Sequence, residues 1–344
     1  MPPEKSSPKN AYRQAGVDIS AADAVKERIK VIAKGASRPE VIGGIGFFGG
    51  LFHFKGYRDP VLVSSTDSVG TKVILARQMG IFDTVGQDIV NHCVNDIFVG
   101  GAEPLFFLDY LGLGSLVPSQ VEQLVKGVAT ACKAANCALI GGETAQLPDL
   151  YRPGDFDIVG CIVGAVERDQ IVDGSKIEVG DAVFGLMSSG LHTNGYTLAR
   201  KVFKTDEDPS VLNARYADLG STLGEALLAI HRNYRPVVMP ALKHIRGMAH
   251  ITGGGFEGNI PRILPKGLAV RIDRSTWQVP PLFKLIQKAG RIDDTEMFQV
   301  FNMGVGLTIV TAPEHAKDIP RLIPEAFLIG MVVPEDGPSR VMLH

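Results

Sequence analysis

The segment from Val61 to Lys72, VLVSSTDSVGTK, constrains the fold more than any other stretch of the chain. Its β-branched start, Val61 to Val63, predicts a buried strand that ends in small polar residues. That strand brings Asp67 to its C-terminal edge. A glycine turn follows, and Lys72 enters the helical pattern TKVILARQMG. The segment therefore predicts a strand, a tight turn and a helix in immediate succession.

This arrangement suits a site that binds Mg²⁺ and a polyphosphate together. The metal would take the Asp67 carboxylate, backbone N–H groups at the Gly70-Thr71 turn would face phosphate oxygens, and Lys72 would add a positive charge. The alternative is a plain strand-to-helix turn in which Asp67 only caps the helix. The segment by itself leaves both interpretations open.

Size and charge narrow the class of protein. The 344 residues exceed one usual domain, and 45% of them are hydrophobic, so the chain can bury a large core. A formal charge of −2 shows no excess of basic residues that would attract nucleic acid or an anionic membrane. No apolar run reaches the ~18 residues of a membrane span, and no secretory signal is present, so we expect a cytosolic protein. Four cysteines form no CxxC pair and are expected to be reduced and buried: Cys93, Cys132, Cys137 and Cys161.

Strands and helices mix irregularly along the chain, which favours two α+β domains over one doubly wound sheet. We predict a disordered tail at 1–11, an N-terminal domain at 12–170 and a C-terminal α+β domain at 171–344. The polar, glycine-punctuated stretch from Glu167 to Asp181 marks the boundary. Predicted strands lie at 61–63, 105–110, 138–140, 158–166, 268–272 and 305–310. Predicted helices lie at 72–79, 86–99, 119–135, 196–203, 224–233 and 282–289.

A glycine-rich segment, GGIGFFGG, occupies residues 43–50. Gly44, Gly46 and Gly49 match GxGxxG, but no convincing strand precedes them and no helix follows, which argues against a dinucleotide-binding fold. A flap that closes over nucleotide phosphates needs no such helix. The alternative is a mobile surface loop.

The predicted helix GQDIVNHCVNDIFVG carries a polar strip on a wide apolar surface. At about 100° per residue, five polar side chains share one arc: Asp88, Asn91, His92, Asn95 and Asp96. The strip holds two acids and no lysine or arginine, and buried carboxylates without partners are costly unless a metal or ligand compensates them. The alternative is a solvated face.

Acidic and polar groups recur at the ends of other predicted strands. The strand at 138–140 stops at Gly141-Gly142, and Glu143 emerges after it. Asp67, Asp96 and Glu143 are therefore three candidate hard-oxygen ligands for Mg²⁺. In the second half, SSGLHTNGYTL and TGGGFEGNIPR form polar or glycine-rich turns suited to an anion or a polar substrate.

Together these segments resemble one family closely, the phosphoribosylformylglycinamidine cyclo-ligases. The resemblance rests on motifs that occur in the family's order: GVDI, RPEV, STDSVGTK, CVNDI, GAEPLFFLDY, GGETA, SSGLHTNGYTL, TGGGFEGNIPR and FNMGVG. It spans residues 12–333. Ser68 stands where the family usually has glycine, Leu191 replaces a proline, and Phe47-Phe48 occupy positions where glycine is commoner.

The resemblance implies a homodimer whose N-terminal domains pair into a β-barrel, with nucleotide near the interface. It implies that ATP and formylglycinamidine ribonucleotide give aminoimidazole ribonucleotide, ADP and phosphate, with Mg²⁺ on Asp67, Asp96 and Glu143. The expected nucleotide-binding residues are Gly44, Gly46, Gly49, Thr71, Lys72, Gly141, Gly142 and Thr144. The expected substrate-binding residues are Ser189, His192, Asn194, Gly254 and Asn259. Lys72 and His192 are the expected catalytic groups, His192 facing the substrate or, alternatively, bracing its turn.

Rival interpretations come from the same superfamily and from outside it. A selenophosphate synthetase would carry a cysteine near the glycine-rich segment, where this chain has none before Cys93. A thiamine-phosphate kinase or a hydrogenase-maturation enzyme would share the acidic sites but less of SSGLHTNGYTL and TGGGFEGNIPR. A catalytically silent nucleotide-binding regulator would not need all of the acidic and basic candidates together.

Overall fold

A computed structural model describes residues 19–344, with side chains from residue 23 onward. The predicted tail at 1–11 and the start of the N-terminal domain lie outside the described residues. The helices are α1 (Ile19–Lys34), α2 (Lys72–Met79), α3 (Asp83–Phe98), α4 (Pro118–Ala134), α5 (Tyr196–Phe203), α6 (Leu223–Leu227), α7 (Arg235–Val238), α8 (Gly255–Asn259), α9 (Pro281–Gly290), α10 (Asp294–Val300) and α11 (Ile319–Leu322). None of these described helices is both long and apolar enough to cross a bilayer.

Two main sheets form the framework. The strands are β1 (Val41–Ile42), β2 (Leu51–Phe52), β3 (Pro60–Ser68), β4 (Glu103–Leu113), β5 (Ala138–Gln146), β6 (Phe156–Glu167), β7 (Ala182–Met187), β8 (Arg215–Tyr216), β9 (Ser221–Thr222), β10 (Ile245–His250), β11 (Leu268–Ile272), β12 (Val305–Thr311), β13 (Phe327–Pro334) and β14 (Val341–Leu343). The order is β3-β6-β4-β5 in the N-terminal sheet and β10-β12-β7-β13-β11-β14 in the C-terminal sheet. The prediction of α+β architecture is confirmed.

The N-terminal sheet is covered on one face only. Helix α3 packs against β3, β4 and β6, and α4 packs against α3, because both helices carry wide apolar surfaces. The helices approach closely where Gly86 of α3 meets Gly127 of α4: a Cβ at Gly86 would lie 3.0 Å from the Gly127 Cα. On the opposite face of β3, Leu62 is 61% exposed. The sheet therefore has an open face that no described helix covers.

Most predicted elements are confirmed, and two predictions are wrong. Strand β3 is not a buried strand but an edge strand whose residues alternate between covered and open faces. The helix predicted at 224–233 ends at Leu227. Beyond it, the backbone of residues 231–234 turns away to bond with side chains of α3, so tertiary hydrogen bonds replace helical ones. All four cysteines are free, and Cys161 is only partly buried.

Candidate active site

The polar strip of α3 forms the seam between the two domains. Asn91 Nδ2 donates to the His231 carbonyl at 2.7 Å, and Asn95 Nδ2 donates to the Arg232 carbonyl at 2.8 Å. The N–H of Tyr234 in turn donates to Asn95 Oδ1 at 3.0 Å. Both asparagines are thus bonded to backbone of the C-terminal domain. The solvated-face interpretation of this strip is wrong.

Lys72 and Asp88 form an ion pair in the interior. Both side chains are fully buried, with Lys72 Nζ 2.7 Å from Asp88 Oδ2. Lys72 also donates to the Ala229 carbonyl at 2.7 Å, and Asp88 Oδ1 accepts from the His231 N–H at 2.7 Å. Burial lowers the pKa of Lys72 and raises that of Asp88, while their mutual attraction opposes both shifts.

This ion pair corrects two expectations. Asp88 does have a cationic partner, supplied by α2 and invisible in the pattern of α3 alone. Lys72 has no exposed surface, so in this structure its ammonium does not face a phosphate. Its hydrogen bonds to the carbonyls of Ala229 and His192 join α2 to the C-terminal domain instead.

Asp67 and Asp96 are brought together, as predicted for two metal ligands. His92 Nε2 lies 2.9 Å from Asp67 Oδ2 and 3.5 Å from Asp96 Oδ2. The two carboxylate side chains remain 40% and 26% exposed, so a ligand can reach them. Burial disfavours their ionisation, but hydrogen bonds and charge from His92 and His250 outweigh it, and the pKa of each carboxyl is lowered. Two ionised carboxylates from separate elements fit a hard divalent cation such as Mg²⁺.

A series of hydrogen bonds runs from Asp96 through the C-terminal domain and returns to His92, which contacts Asp67. His250 Nδ1 lies 2.8 Å from Asp96 Oδ1, and His250 Nε2 lies 2.9 Å from His231 Nε2. Thr193 Oγ1 lies between His231 Nδ1 at 3.5 Å and His92 Nδ1 at 2.7 Å. We call this series, from Asp96 through His250, His231 and Thr193 to His92, the histidine chain.

The histidine chain assigns the ring protons. If His250 donates from Nδ1 to Asp96, its neutral ring must accept at Nε2 from the N–H of His231. His231 Nδ1 then accepts from the Thr193 hydroxyl, and Thr193 Oγ1 accepts from His92 Nδ1. His92 therefore donates from both of its ring nitrogens, since its Nε2 faces Asp67. The pKa values agree: burial lowers those of His231 and His250, whereas the carboxylates around His92 overcome burial and raise its pKa.

His192 is buried beside the histidine chain rather than open to a substrate. Its side chain is 1% exposed and its ring stacks on that of His231 with centroids 3.9 Å apart. Its Nε2 accepts from the Ser189 N–H at 3.3 Å. Gly306 of β12 makes room for the ring, since a Cβ there would lie 2.5 Å from His192 Cε1. These contacts favour the alternative that His192 braces its turn, and the substrate-facing expectation is not met in this structure.

Glu143 does not join the other two acids within one subunit. One row across the N-terminal sheet runs Asp67, Gly160, Asp109 and Gly142. Paired residues share a face and neighbours alternate, so Glu143 points to the open face while Asp67 points to α3. Three inter-strand spacings also separate them by about 14 Å. The expectation of three acids on one ion is corrected to a pair, Asp67 and Asp96.

The glycine-rich TGGG turn is braced by its own asparagine. Asn259 is 2% exposed, and its Nδ2 donates to carbonyls of Thr252, Gly253 and Gly255. Its side chain is therefore occupied with the turn rather than free for a substrate, which corrects that expectation. Gly254 adopts φ 88°, a left-handed conformation that favours glycine.

The remaining nucleotide-binding candidates lie at two separate edges of the N-terminal sheet. Residues 43–50 connect β1 to β2, and a Cβ on Gly50 would lie 2.7 Å from Ile140 Cδ1 of β5. This glycine-rich hairpin therefore adjoins the β5 edge, where the nucleotide-binding candidates Gly141, Gly142 and Thr144 lie. Thr71 is at the β3 edge, its hydroxyl 3.0 Å from that of Thr197.

Two substrate-binding candidates of the C-terminal half contact their own domain: Ser189 Oγ donates to the Ile230 carbonyl, and Asn194 Nδ2 lies 3.5 Å from Thr193 Oγ1.

A cavity opens at the turn between β3 and α2. It has a volume of about 330 Å³, and its lining includes Ser68, Gly70 and Thr71. The Arg77–Asp155 ion pair and Tyr151 close its far side. The cavity thus combines turn backbone, an arginine paired with Asp155 and an aromatic ring, and Asp157 also lines it.

Three residues of this region were missed by sequence reasoning. His231 and His250 are 19 positions apart in the C-terminal domain and match no motif, because the tertiary fold of that domain is what brings their rings together. Asp109 did give a signal, an acid inside the apolar run FFLDYL. Burial raises the pKa of Asp109 to about 7, and Gly142 makes room for it, since a Cβ there would lie 2.4 Å from Asp109 Oδ1.

Solved structures define the class of fold. A thiamine-monophosphate kinase from Stenotrophomonas maltophilia K279a aligns with TM-score 0.67 and 16% identity, over 95% of this chain and 96% of that chain. A hydrogenase maturation protein HypE solved in complex with ATP aligns with TM-score 0.65 and 15% identity, over 96% and 93%. Both alignments show that this chain has the same two-domain α+β fold.

Sequence comparison defines the family within that class. Residues 54–166 match the AIR synthase related protein N-terminal domain, and residues 178–342 match the corresponding C-terminal domain. A phosphoribosylformylglycinamidine cyclo-ligase of Desulfitobacterium hafniense (strain DSM 10664 / DCB-2) is 54% identical over 313 residues, 90% of this chain and 91% of that protein. A relative of the same name from Bacillus mycoides (strain KBAB4) is 48% identical over 336 residues, 95% and 97% of the two chains. The chain belongs to the phosphoribosylformylglycinamidine cyclo-ligase family, and the predicted resemblance is confirmed.

Proposed function

We propose that this chain converts formylglycinamidine ribonucleotide and ATP to aminoimidazole ribonucleotide, ADP and phosphate. The observation that carries the proposal is 54% identity over nine-tenths of the chain to a ligase of that name, together with a reachable carboxylate pair at the domain junction. In the proposed reaction ATP phosphorylates the formamide oxygen. The amidine nitrogen then attacks the activated carbon, the ring closes, and the C–O bond breaks as phosphate leaves.

This chemistry asks the protein for positioning and charge neutralisation rather than a nucleophile. Asp67 and Asp96 would hold Mg²⁺, which when bound neutralises charge on the ATP phosphates. The turn at Gly70-Thr71, beside the 330 Å³ cavity, would take phosphate oxygens on backbone N–H groups. The loops that carry Ser189, Asn194 and Gly254 lie across the seam and would face the ribonucleotide.

The test is ADP release by the purified chain with each candidate substrate. We expect turnover with formylglycinamidine ribonucleotide and none with thiamine monophosphate, the substrate class named for the kinase of similar fold. Phosphorylation of thiamine monophosphate, without cyclisation, would contradict the proposal.

We further propose that the chain acts as a homodimer through the open face of the N-terminal sheet. Leu62 on β3 shares that face with Val163 and Cys161 on β6 and with Phe106 and Leu108 on β4. Apolar sheet surface of this kind is normally covered. A second copy stacked there would close two four-stranded sheets into a barrel, and could bring the β5 edge of one subunit, with Glu143 and residues 43–50, toward the β3 edge of the other.

Replacing Val163 by Asp should therefore separate the subunits and abolish turnover, because a charge would be buried between two sheets. Sedimentation velocity gives the mass and the ADP assay gives the activity. Leu328→Asp is the matched control, since Leu328 is 53% exposed in the C-terminal sheet. A parent chain that sediments as a monomer, or a fully active monomeric Val163→Asp, would contradict the dimer.

A further inference from the structure

We propose that His250 is a positioning residue that sets the orientation of the Asp96 carboxylate, with His231 fixing the ring of His250. The C-terminal domain would thereby determine the geometry of a metal ligand that belongs to the N-terminal domain. This inference rests on the proposed role of Asp96 as a ligand of Mg²⁺.

The contacts around Asp96 divide its two oxygens. Oδ1 accepts from His250 Nδ1 at 2.8 Å. Oδ2 accepts from Ser65 Oγ at 3.1 Å and lies 3.5 Å from His92 Nε2. Asp96 is partly exposed and sits near the end of α3, and the shortest of these contacts, the bond from the buried His250 ring, restrains rotation of its carboxylate from the side opposite Ser65.

His250 is itself rigidly held. It is the last residue of β10, where it pairs with Leu307 of β12 inside the C-terminal sheet. The ring is buried, and its Nε2 is 2.9 Å from His231 Nε2, whose backbone is tied to Asp88 of α3. A ring nitrogen fixed by a second partner is how proteins orient histidines next to metal ligands.

The same histidines could instead form a transition-metal centre, since single nitrogens of His192, His231 and His250 lie within 4.8 Å of one another. Their hydrogen bonds oppose this. His231 and His250 direct their Nε2 atoms at each other, and His192 Nε2 receives an N–H. The rings of His192 and His231 also stack, so their in-plane lone pairs do not converge. The cluster is therefore better described as a hydrogen-bonded support for Asp96.

The experiment compares His250→Ala, His250→Asn and a control, His344→Ala, which removes an exposed histidine ring just after β14. Binding of Mn²⁺ is followed by electron paramagnetic resonance with a non-hydrolysable ATP analogue, and Mg²⁺ dependence by ADP release. We expect His250→Ala to weaken metal binding by about 10- to 100-fold, the range for outer partners of metal ligands. The KM for formylglycinamidine ribonucleotide should stay near that of the parent.

His250→Asn should recover part of the loss, because its amide N–H₂ can reach the position of Nδ1. If His250→Ala does not fold, His231→Phe replaces it in the test. This variant keeps a ring but removes the donor to His250, and it should weaken metal binding in the same direction by a smaller factor. Equal metal binding in His250→Ala and His344→Ala would overturn the inference. If Asp96→Asn also leaves metal binding unchanged, the proposed metal site itself is wrong. If Asp96→Asn abolishes metal binding and His250→Ala does not weaken it, only the positioning role of His250 is wrong.

Discussion

Asp96→Asn is expected to reduce ATP turnover by about 100-fold or more while leaving the fold intact. Loss of an outer partner of a metal ligand usually costs 10- to 100-fold, and loss of a ligand itself should exceed the upper end of that range. The amide keeps the shape of the carboxylate: its oxygen can still accept from His250, and its N–H₂ group can donate to the Ser65 hydroxyl, so the seam between the domains should persist. ADP release at a series of Mg²⁺ concentrations measures the effect, and circular dichroism reports the fold.

Asp169→Asn is the matched control, since the Asp169 side chain is 71% exposed and lies beyond Glu167, the last residue of β6, whereas Asp67 pairs with Gly160 of that strand. Parental turnover by Asp96→Asn at limiting Mg²⁺ would rule out a role as metal ligand. Glu143→Gln gives a third comparison. A large loss in that variant would support completion of the site by the partner subunit, because within one subunit Glu143 faces away from Asp67.

Lys72→Met should destabilise the chain by about 3–5 kcal/mol, the usual cost of leaving one partner of a buried ion pair uncompensated. Asp88 would remain in the interior without Lys72 Nζ, and the Ala229 carbonyl would lose its donor. Urea denaturation followed by fluorescence of Trp277, the chain's one tryptophan, measures the change in the free energy of unfolding.

The double variant Lys72→Met/Asp88→Asn separates a structural role from a phosphate contact. The asparagine introduced by Asp88→Asn is neutral, and its amide oxygen can still accept from the His231 N–H, so the double variant should be more stable than Lys72→Met alone. If Lys72 acts only within the fold, nucleotide affinity should recover together with stability. Recovered stability with persistently weak nucleotide binding would restore the phosphate-contact role that the buried position argues against.

Local pattern determined much of this protein. Hydrophobic periodicity and turn chemistry gave α2, α5 and β11 with their observed bounds, because such elements depend on neighbouring residues. The order of the motifs was enough for the family, which sequence comparison confirms. Asp67 and Asp96 were predicted to converge together with Glu143, and within one subunit the structure brings only the first two together.

Tertiary structure alone decided which of the polar residues face solvent. Lys72 lies just past a glycine turn, a position that suits a phosphate, yet Asp88 from another helix and two carbonyls from the other domain enclose it. Glu143 was expected to follow a strand end at Gly141-Gly142, but β5 continues through it to Gln146, and the strand order and a one-residue alternation put it on the face opposite Asp67. His192, His231 and His250 are brought together by the tertiary fold of the C-terminal domain, and domain docking then places them against His92 and Asp96. Strand order, register and docking are set by contacts between residues distant in sequence, and no local pattern contains them.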